Sequence, residues 1–410
     1  MNYFKNRRNK VLEQLHIDEM AIFFAGEPVR NSADSEFEFN SNRNYYYLTG
    51  INEPSGVLVL MKQGSQISET LFIRDIDYDK EKWIGRFISV EKAREVSGIQ
   101  NISFVSGFES FFEMALSRRG INRLMLDMDR QHFSTRALEA EVFAKRVNEH
   151  YPMLPIRSSH AMVSQLRSIK DEKEIEAIRE AAEITNAAIR RALKQMKPGM
   201  YEYQVMAHFL FELNMNNATE MFDTIMASGE NGPILHYVEN NSLMKDGDLI
   251  LFDLGAKKNH YGADISRTFP VNGKFTEFQK QIYDIVLTAQ EEVTKAAKPG
   301  VTLIELNDVC KHSLTNGLMS IGFISNSDEL SKYYYHSVSH FLGLDTHDVG
   351  QTMTYQLVEG NVITNEPGLY IAEKNLGIRI ETDLLITKDG CEDLAPQILK
   401  TTEEIEAFMK

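Results

Sequence analysis

The sequence predicts an α/β (α+β) protein in two parts: a mixed-sheet α/β domain over residues 1–158, then a duplicated α/β domain over residues 159–410. Three observations predict this. Residues 1–150 alternate short β-forming runs with helical ones. Prolines at 152 and 155 then break the pattern. Beyond the break, one helix–turn pattern returns after 101 residues and one strand pattern after 113.

In the first part, Ala21–Ala25, Asn44–Leu48, Gly56–Met61, Thr70–Arg74 and Arg123–Asp127 are short, apolar and rich in β-formers, so we expect strands there. Glu109–Arg118 and Thr135–Asn148 have helical spacing. In the second part, Ile175, Ile178, Ala182, Thr185, Ile189, Leu193 and Met196 recur at steps of three and four, one face of a long helix. Lys197-Pro198-Gly199 ends it, because proline cannot continue a helix and glycine accepts the left-handed exit. A second helix over Phe278–Ala297 ends at Lys298-Pro299-Gly300.

The duplication extends to the strands. Asp246 to Gly255 aligns without a gap with Glu359 to Gly368. Both stretches read as a turn followed by a strand with a carboxylate at its eighth position, Asp253 in one and Glu366 in the other. We expect two related halves with a site between them.

Charge sharpens the division. The chain has 44 Lys+Arg against 59 Asp+Glu, a net charge of -15. Residues 1–160 hold 21 basic and 22 acidic residues, so nearly all the excess lies beyond them. An acidic chain suits cations and is a poor partner for nucleic acid. Two cysteines, Cys310 and Cys391, make no disulfide framework and fit a reducing compartment. No stretch approaches the ~20 apolar residues of a membrane span, and the N-terminus is not a secretory signal. We expect a soluble, cytoplasmic protein that does not engage membranes.

Asp253 lies in the otherwise apolar run Leu249–Leu254, where a charge must be paired or bind metal. The next strand, Ala263–Phe269, carries Asp264. A hairpin turning at Lys258-Asn259 would set Asp253 opposite Asp264, ~5 Å apart, and two such carboxylates repel unless a proton or cation lies between them. Glu366 and Glu381 form a similar pair around a loop near Glu373–Leu376, with Arg379 placed to orient Glu381. His336, His340 and His347 cluster in one segment, and His236 follows Gly229-Glu230-Asn231-Gly232. Neutral imidazole is a common metal ligand.

Four carboxylates balance two divalent cations. An oxygen-rich set with one histidine suits Mn²⁺, with Co²⁺, Fe²⁺ and Zn²⁺ as alternatives. Two such ions ~3.5–4 Å apart can share a water, lower its pKa and polarise a carbonyl. Alone, each of these residues reads more simply as a structural ion pair or a core histidine, and Tyr333-Tyr334-Tyr335 reads as a core or interface strand. The set as a whole favours metal. The H-E-x-x-H, C-x-x-C pair, G-x-S-x-G and phosphate-loop motifs are missing from the sequence.

At these residues the sequence resembles the creatinase/aminopeptidase P/prolidase metallopeptidases. The resemblance runs through Ala227 to Gly232 with Ile234 to Tyr237, Tyr261 to Pro270, Ser339 to Gly350 and Glu366 to Tyr370. Arg43 to Gly50 and Glu53-Pro54 resemble the non-catalytic domain of aminopeptidase P. The resemblance implies a pita-bread catalytic domain and a dinuclear site of Asp253, Asp264, His340, Glu366 and Glu381. It implies that Glu366 accepts the proton of the attacking water. His236 and His347 would bind substrate and steady the tetrahedral intermediate, with His336 and Arg379 lining the site. The substrates implied are peptides with proline second, cleaved after the first residue, or else Xaa-Pro dipeptides alone. A homo-oligomer, dimer or tetramer, is implied as well. The sequence departs from the family pattern at Ser337, often glycine, and at Thr382, often a second acid; neither position is a ligand.

Overall fold

The computed structural model describes residues 3–130, 132–350 and 352–410. They form two compact units, Met1–Arg167 and Ser168–Lys410. The boundary expected at 158/159 lies at the foot of helix His160–Ser168. That helix belongs to the first unit because Arg167 Nη1 donates to Asn44 Oδ1 at 2.9 Å and His160 Nδ1 lies 3.4 Å from Asp127 Oδ1.

The first unit is built on a six-stranded sheet in the order Asn101–Phe104, Gln66–Ile73, Val57–Gln63, Glu19–Phe24, Arg123–Leu126, Ile156–Ser158. The sheet is mixed: Glu19–Phe24 runs antiparallel to Val57–Gln63 and parallel to Arg123–Leu126. Its central residues Met20, Ile22, Val59 and Leu124 are fully buried, which explains the continuous apolar runs in the sequence. Helices Phe108–Arg119 and Glu139–His150 bring Phe108, Phe112 and Phe143 onto Phe24 and Phe72 of the sheet. The rings meet with centroids 5.2–6.0 Å apart, as in Phe112–Phe143 and Phe24–Phe108, each such pair adding about 0.5–1.5 kcal/mol to its burial.

One expected strand is a helix. Arg43–Thr49 is helical because Asn42 caps its first turn, accepting from the amides of Asn44 and Tyr45, and Gly50 ends it at φ 72°. Local capping overrides the β preference of its tyrosines.

In the second unit the repeat is visible element by element. Helix Glu172–Gln195 leads through Lys197-Pro198-Gly199 to helix Glu202–Met215, and helix Glu277–Ala296 through Lys298-Pro299-Gly300 to helix Leu303–Ser320. Gly199 and Gly300 both sit at positive φ, 88° and 89°, where a side chain would be strained. Their amides donate to equivalent carbonyls, Met244 and Leu357. Each half then forms nested hairpins. In the first, Leu249–Leu254 pairs with Ile265–Pro270 outside Ala256–Lys258 with Tyr261–Gly262. In the second, Val362–Asn365 pairs with Thr382–Ile386 outside Gly368–Ile371 with Leu376–Arg379. One hydrophobic core unites both halves, including Ile189, Phe209, Phe252, Phe269, Tyr283 and Leu314.

The first hairpin turns later than expected. Asn259 and His260 occupy the turn with φ 52° and 68°, the primed geometry that suits a twisted two-residue hairpin. Asp253 therefore pairs with Ser266, not with Asp264. Asp264 has left the ladder, and its amide donates to Asp383 Oδ2 at 3.2 Å. Tyr333-Tyr334-Tyr335 is not a strand but a turn and loop after the short helix Ser327–Lys332. Its three hydroxyls reach in different directions, to Glu373, Asn307 and the Pro233 carbonyl. Among the described residues no helix is long and apolar enough to cross a membrane.

Candidate functional site

The nested hairpins of the second unit open onto a cavity of about 730 Å³. Asp253, Asp264, His340, Glu366 and Glu381 all line it, as do His236, His336, His347 and Arg379. Phe222, Ile225, Leu235, Val238 and Met353 provide apolar wall. Every residue expected at the site is thus brought to one place, from segments up to 145 residues apart in sequence.

Strand ends supply the carboxylates. Asp253 lies near the end of Leu249–Leu254, and Glu366 directly follows Val362–Asn365. Glu381 sits between strands Leu376–Arg379 and Thr382–Ile386. Asp264, His340 and Glu381 offer ligand atoms within 4.8 Å of one another. His340 Nε2 is 3.5 Å from Asp264 Oδ2 and 3.5 Å from Glu366 Oε1.

The hydrogen bonding of His340 decides what belongs there. Its Nδ1 faces the Phe341 carbonyl at 3.1 Å, and a carbonyl only accepts, so Nδ1 carries the proton. Burial pushes this histidine down to about 4, so near neutral pH the ring is uncharged and Nε2 presents a lone pair. That lone pair meets two carboxylates, an arrangement that repels unless a proton or a cation stands among them.

The acids report the same stress. Burial, followed by the charge of Glu381, raises Asp264 and Glu366 well above the usual carboxylate range. Glu381 is raised to about 7 by burial and by Asp253, with Arg379 opposing. Three carboxylates raised by burial and by one another, with one neutral imidazole among them and Arg379 as the cation beside them, fit a divalent metal.

Arg379 does not orient Glu381 directly. Its Nη2 donates to Asp253 Oδ2, its Nη1 to Tyr370 Oη at 2.9 Å and its Nε to Ser266 Oγ at 2.8 Å. Ser266 Oγ in turn donates to Glu381 Oε2 at 2.6 Å. Tyr370 also donates to His336 Nε2 at 2.8 Å, since His336 Nδ1 donates to the Ser337 carbonyl. Burial holds His336 at about 4, uncharged. Ser266 and Tyr370 are the connecting residues that sequence reasoning missed. Both lay inside motifs already singled out, and strand pairing was the missing information.

His236 and His347 line the cavity too but differ from the rest in being exposed. The ring of His347 stands edge-on to that of His340, centroids 4.5 Å apart.

Comparison with known proteins accords with this geometry. Residues 176–388 match metallopeptidase family M24, and residues 4–124 match the aminopeptidase P N-terminal domain. The chain is 37% identical to the Xaa-Pro aminopeptidase of Escherichia coli, over 99% of this chain and 97% of that one. Among solved structures, a Bacillus anthracis protein assigned as an aminopeptidase P superposes with a TM-score of 0.98 at 44% identity, covering 99% of this chain and 97% of that one. Escherichia coli aminopeptidase P with the inhibitor Pro-Leu gives a TM-score of 0.91 at 35% identity, with the same coverage. The chain belongs to metallopeptidase family M24 and carries the N-terminal domain of the aminopeptidase P type.

Proposed function

We propose that the protein is an Xaa-Pro aminopeptidase, a metallo-hydrolase that releases the first residue from peptides with proline second. The observation that carries this reading is the convergence of Asp264, His340, Glu366 and Glu381 in one cavity that two exposed histidines also line. We assign Asp253, Asp264, His340, Glu366 and Glu381 as the ligands of two divalent ions, and Mn²⁺ as the metal this oxygen-rich set favours. When bound, the metal supplies a polarised water and a Lewis acid for the scissile carbonyl.

The chain's own residues account for the rest. Glu366 takes the proton released as water adds to the carbonyl and delivers it to the prolyl nitrogen as the C–N bond breaks. Its buried position favours a carboxyl that can hold a proton near neutral pH. His236 and His347 bind the substrate and stabilise the charge that develops on the carbonyl oxygen. Arg379 and His336, joined through Tyr370, line the site and fix its walls. An Xaa-Pro bond has no N–H and a fixed ring, so a site recognising the free amine and carbonyl suits it better than a cleft that binds an extended backbone.

We place the enzyme in the cytoplasm, in keeping with two free cysteines, and assign it as a dimer or tetramer, testable by light scattering. The activity test uses Mn²⁺-loaded protein with an Xaa-Pro dipeptide, an Xaa-Pro-Yaa tripeptide and an Xaa-Ala-Yaa tripeptide. Cleavage of the Xaa-Pro-Yaa substrate is expected, and the alanine tripeptide should survive. Cleavage of the dipeptide alone would make the protein a prolidase. Cleavage of none, with metal bound, would leave a peptide-binding protein.

A further inference from the structure

His236 sits in an irregular segment, and the structure shows how that segment is held. Glu202, the first residue of helix Glu202–Met215, is fully buried. Its Oε1 accepts from the Ser228 amide at 2.7 Å, from Ser228 Oγ at 2.6 Å and from Asn231 Nδ2 at 3.2 Å. Its Oε2 accepts from Tyr237 Oη at 2.8 Å and from the Ser242 amide at 2.9 Å. All five donors lie between residues 228 and 242, at both ends of the segment and beside His236. A carboxylate is an acceptor with no proton to place, and its two oxygens can take several bonds at once, so it suits a ring of donors better than any neutral side chain.

The internal repeat supplies a control. The residue equivalent to Glu202, 101 positions later, is Leu303, also the first residue of its helix and also buried. Starting this helix and packing it therefore require no carboxylate. The acid is present only in the half whose loop carries His236.

We infer that Glu202 is a positioning residue for the reaction: it holds segment 228–242 so that His236 faces the cavity. The inference rests on the reading of His236 as a substrate-binding group. Glu202 itself does not line the cavity, so its effect reaches the substrate only through the loop.

The test is a double-mutant cycle on the Mn²⁺-loaded enzyme with an Xaa-Pro-Yaa tripeptide. Glu202→Gln places an amide donor against a ring of donors while keeping the side chain's size. It should keep the parent's metal content, lose about 10- to 100-fold in kcat/KM, as a displaced positioning group does, and speed amide exchange over 228–242. Glu202→Gln combined with His236→Ala should be no slower than His236→Ala alone, because both remove the same group from service. Losses that multiply in the double variant, or parent-like kcat/KM in Glu202→Gln, would overturn the inference. Tyr237→Phe removes one donor of the five and covers the case in which Glu202→Gln fails to fold. A smaller loss, again absent on the His236→Ala background, supports the anchor, and a loss that persists there opposes it. If His236→Ala keeps full activity, the role given to His236 fails, and exchange alone decides: unchanged protection over 228–242 in Glu202→Gln would reject the anchor.

Discussion

Ser266 Oγ donates to Glu381 Oε2 at 2.6 Å, and the Glu381 amide donates back to the Ser266 carbonyl at 2.9 Å. The two residues belong to different halves of the repeat, so this exchange ties the halves together at the site. The same hydroxyl accepts from Arg379 Nε at 2.8 Å, which directs its single proton to Glu381. Ser266→Ala should lower metal affinity by about 10- to 100-fold, the usual effect of removing a partner that orients a ligand. Competition against a chelating dye measures it, and unchanged affinity would show that Glu381 needs no such orientation.

Metal removal should cost more stability as pH rises. Glu381 has its folded pKa raised from 4.5 to about 7, so the folded state binds this proton more tightly than the unfolded chain does. Stability is therefore intact below its unfolded value and is lost as pH climbs to about 7. Asp264, Glu366 and Asp383 are raised too and act in the same direction. His336 and His340, lowered from 6.5 to about 4, act oppositely, costing stability as pH falls through that window. Four acids outnumber two histidines, whose opposing window ends at 6.5, so metal-free protein should weaken as pH rises to about 7, and metal should offset it by taking the protons' place. Calorimetry with and without chelator checks this: the gap in Tm should widen with pH and belong to Ser168–Lys410. A gap that stays constant would count against a carboxylate-held metal.

The site was legible because buried charge is rare in apolar strands, and Asp253 and Glu366 stood out at matching positions of a repeat. The contacts between them were less so. Which residue opposes Asp253 depends on where the hairpin turns, and the positive φ of the turn falls on Asn259-His260, one residue beyond Lys258-Asn259. Arg379 was placed beside Glu381 by sequence spacing, whereas its guanidinium reaches Asp253 on the other half. Glu202 gave no sequence signal, since the four residues that supply its five donors lie 26 to 40 residues away in a segment without periodicity. Asn44–Leu48 misled because its tyrosines favour strands, while the capping residues that make it a helix, Asn42 and Gly50, lie just outside the run.

Gly377→Ala should damage both stability and activity. A Cβ at Gly377 would stand 1.9 Å from the Gly232 carbonyl oxygen, and this neighbour is backbone, which cannot swing aside. Gly232 leads into the segment carrying His236, so relief of the clash must displace that segment. Overpacking of this kind costs about 1–3 kcal/mol, readable by urea denaturation. kcat/KM should fall with it. Parent-like values in both assays would mean that the halves do not pack this closely in solution.

Lys170 Nζ and Asp348 Oδ2 form an ion pair at 3.0 Å with both side chains essentially buried, 0% and 1% exposed. Asp348 follows His347, and its carboxylate lies so close to Gly343 that a Cβ there would be 2.1 Å from Oδ2. The pair thus closes the loop that carries both His340 and His347. Lys170→Met or Asp348→Asn alone breaks a buried ion pair from one side, at a cost of about 3–5 kcal/mol. Lys170→Met with Asp348→Leu removes both charges and should recover most of that loss, because apolar groups of similar volume can replace a buried pair. The double variant should nevertheless keep a lowered kcat/KM, since apolar packing lacks the direction that an ion pair gives the loop. Denaturation and kinetics on the three variants separate these effects. A double variant with full activity would make the pair a matter of stability alone, and one as unstable as the sum of the singles would show that the two charges are not coupled.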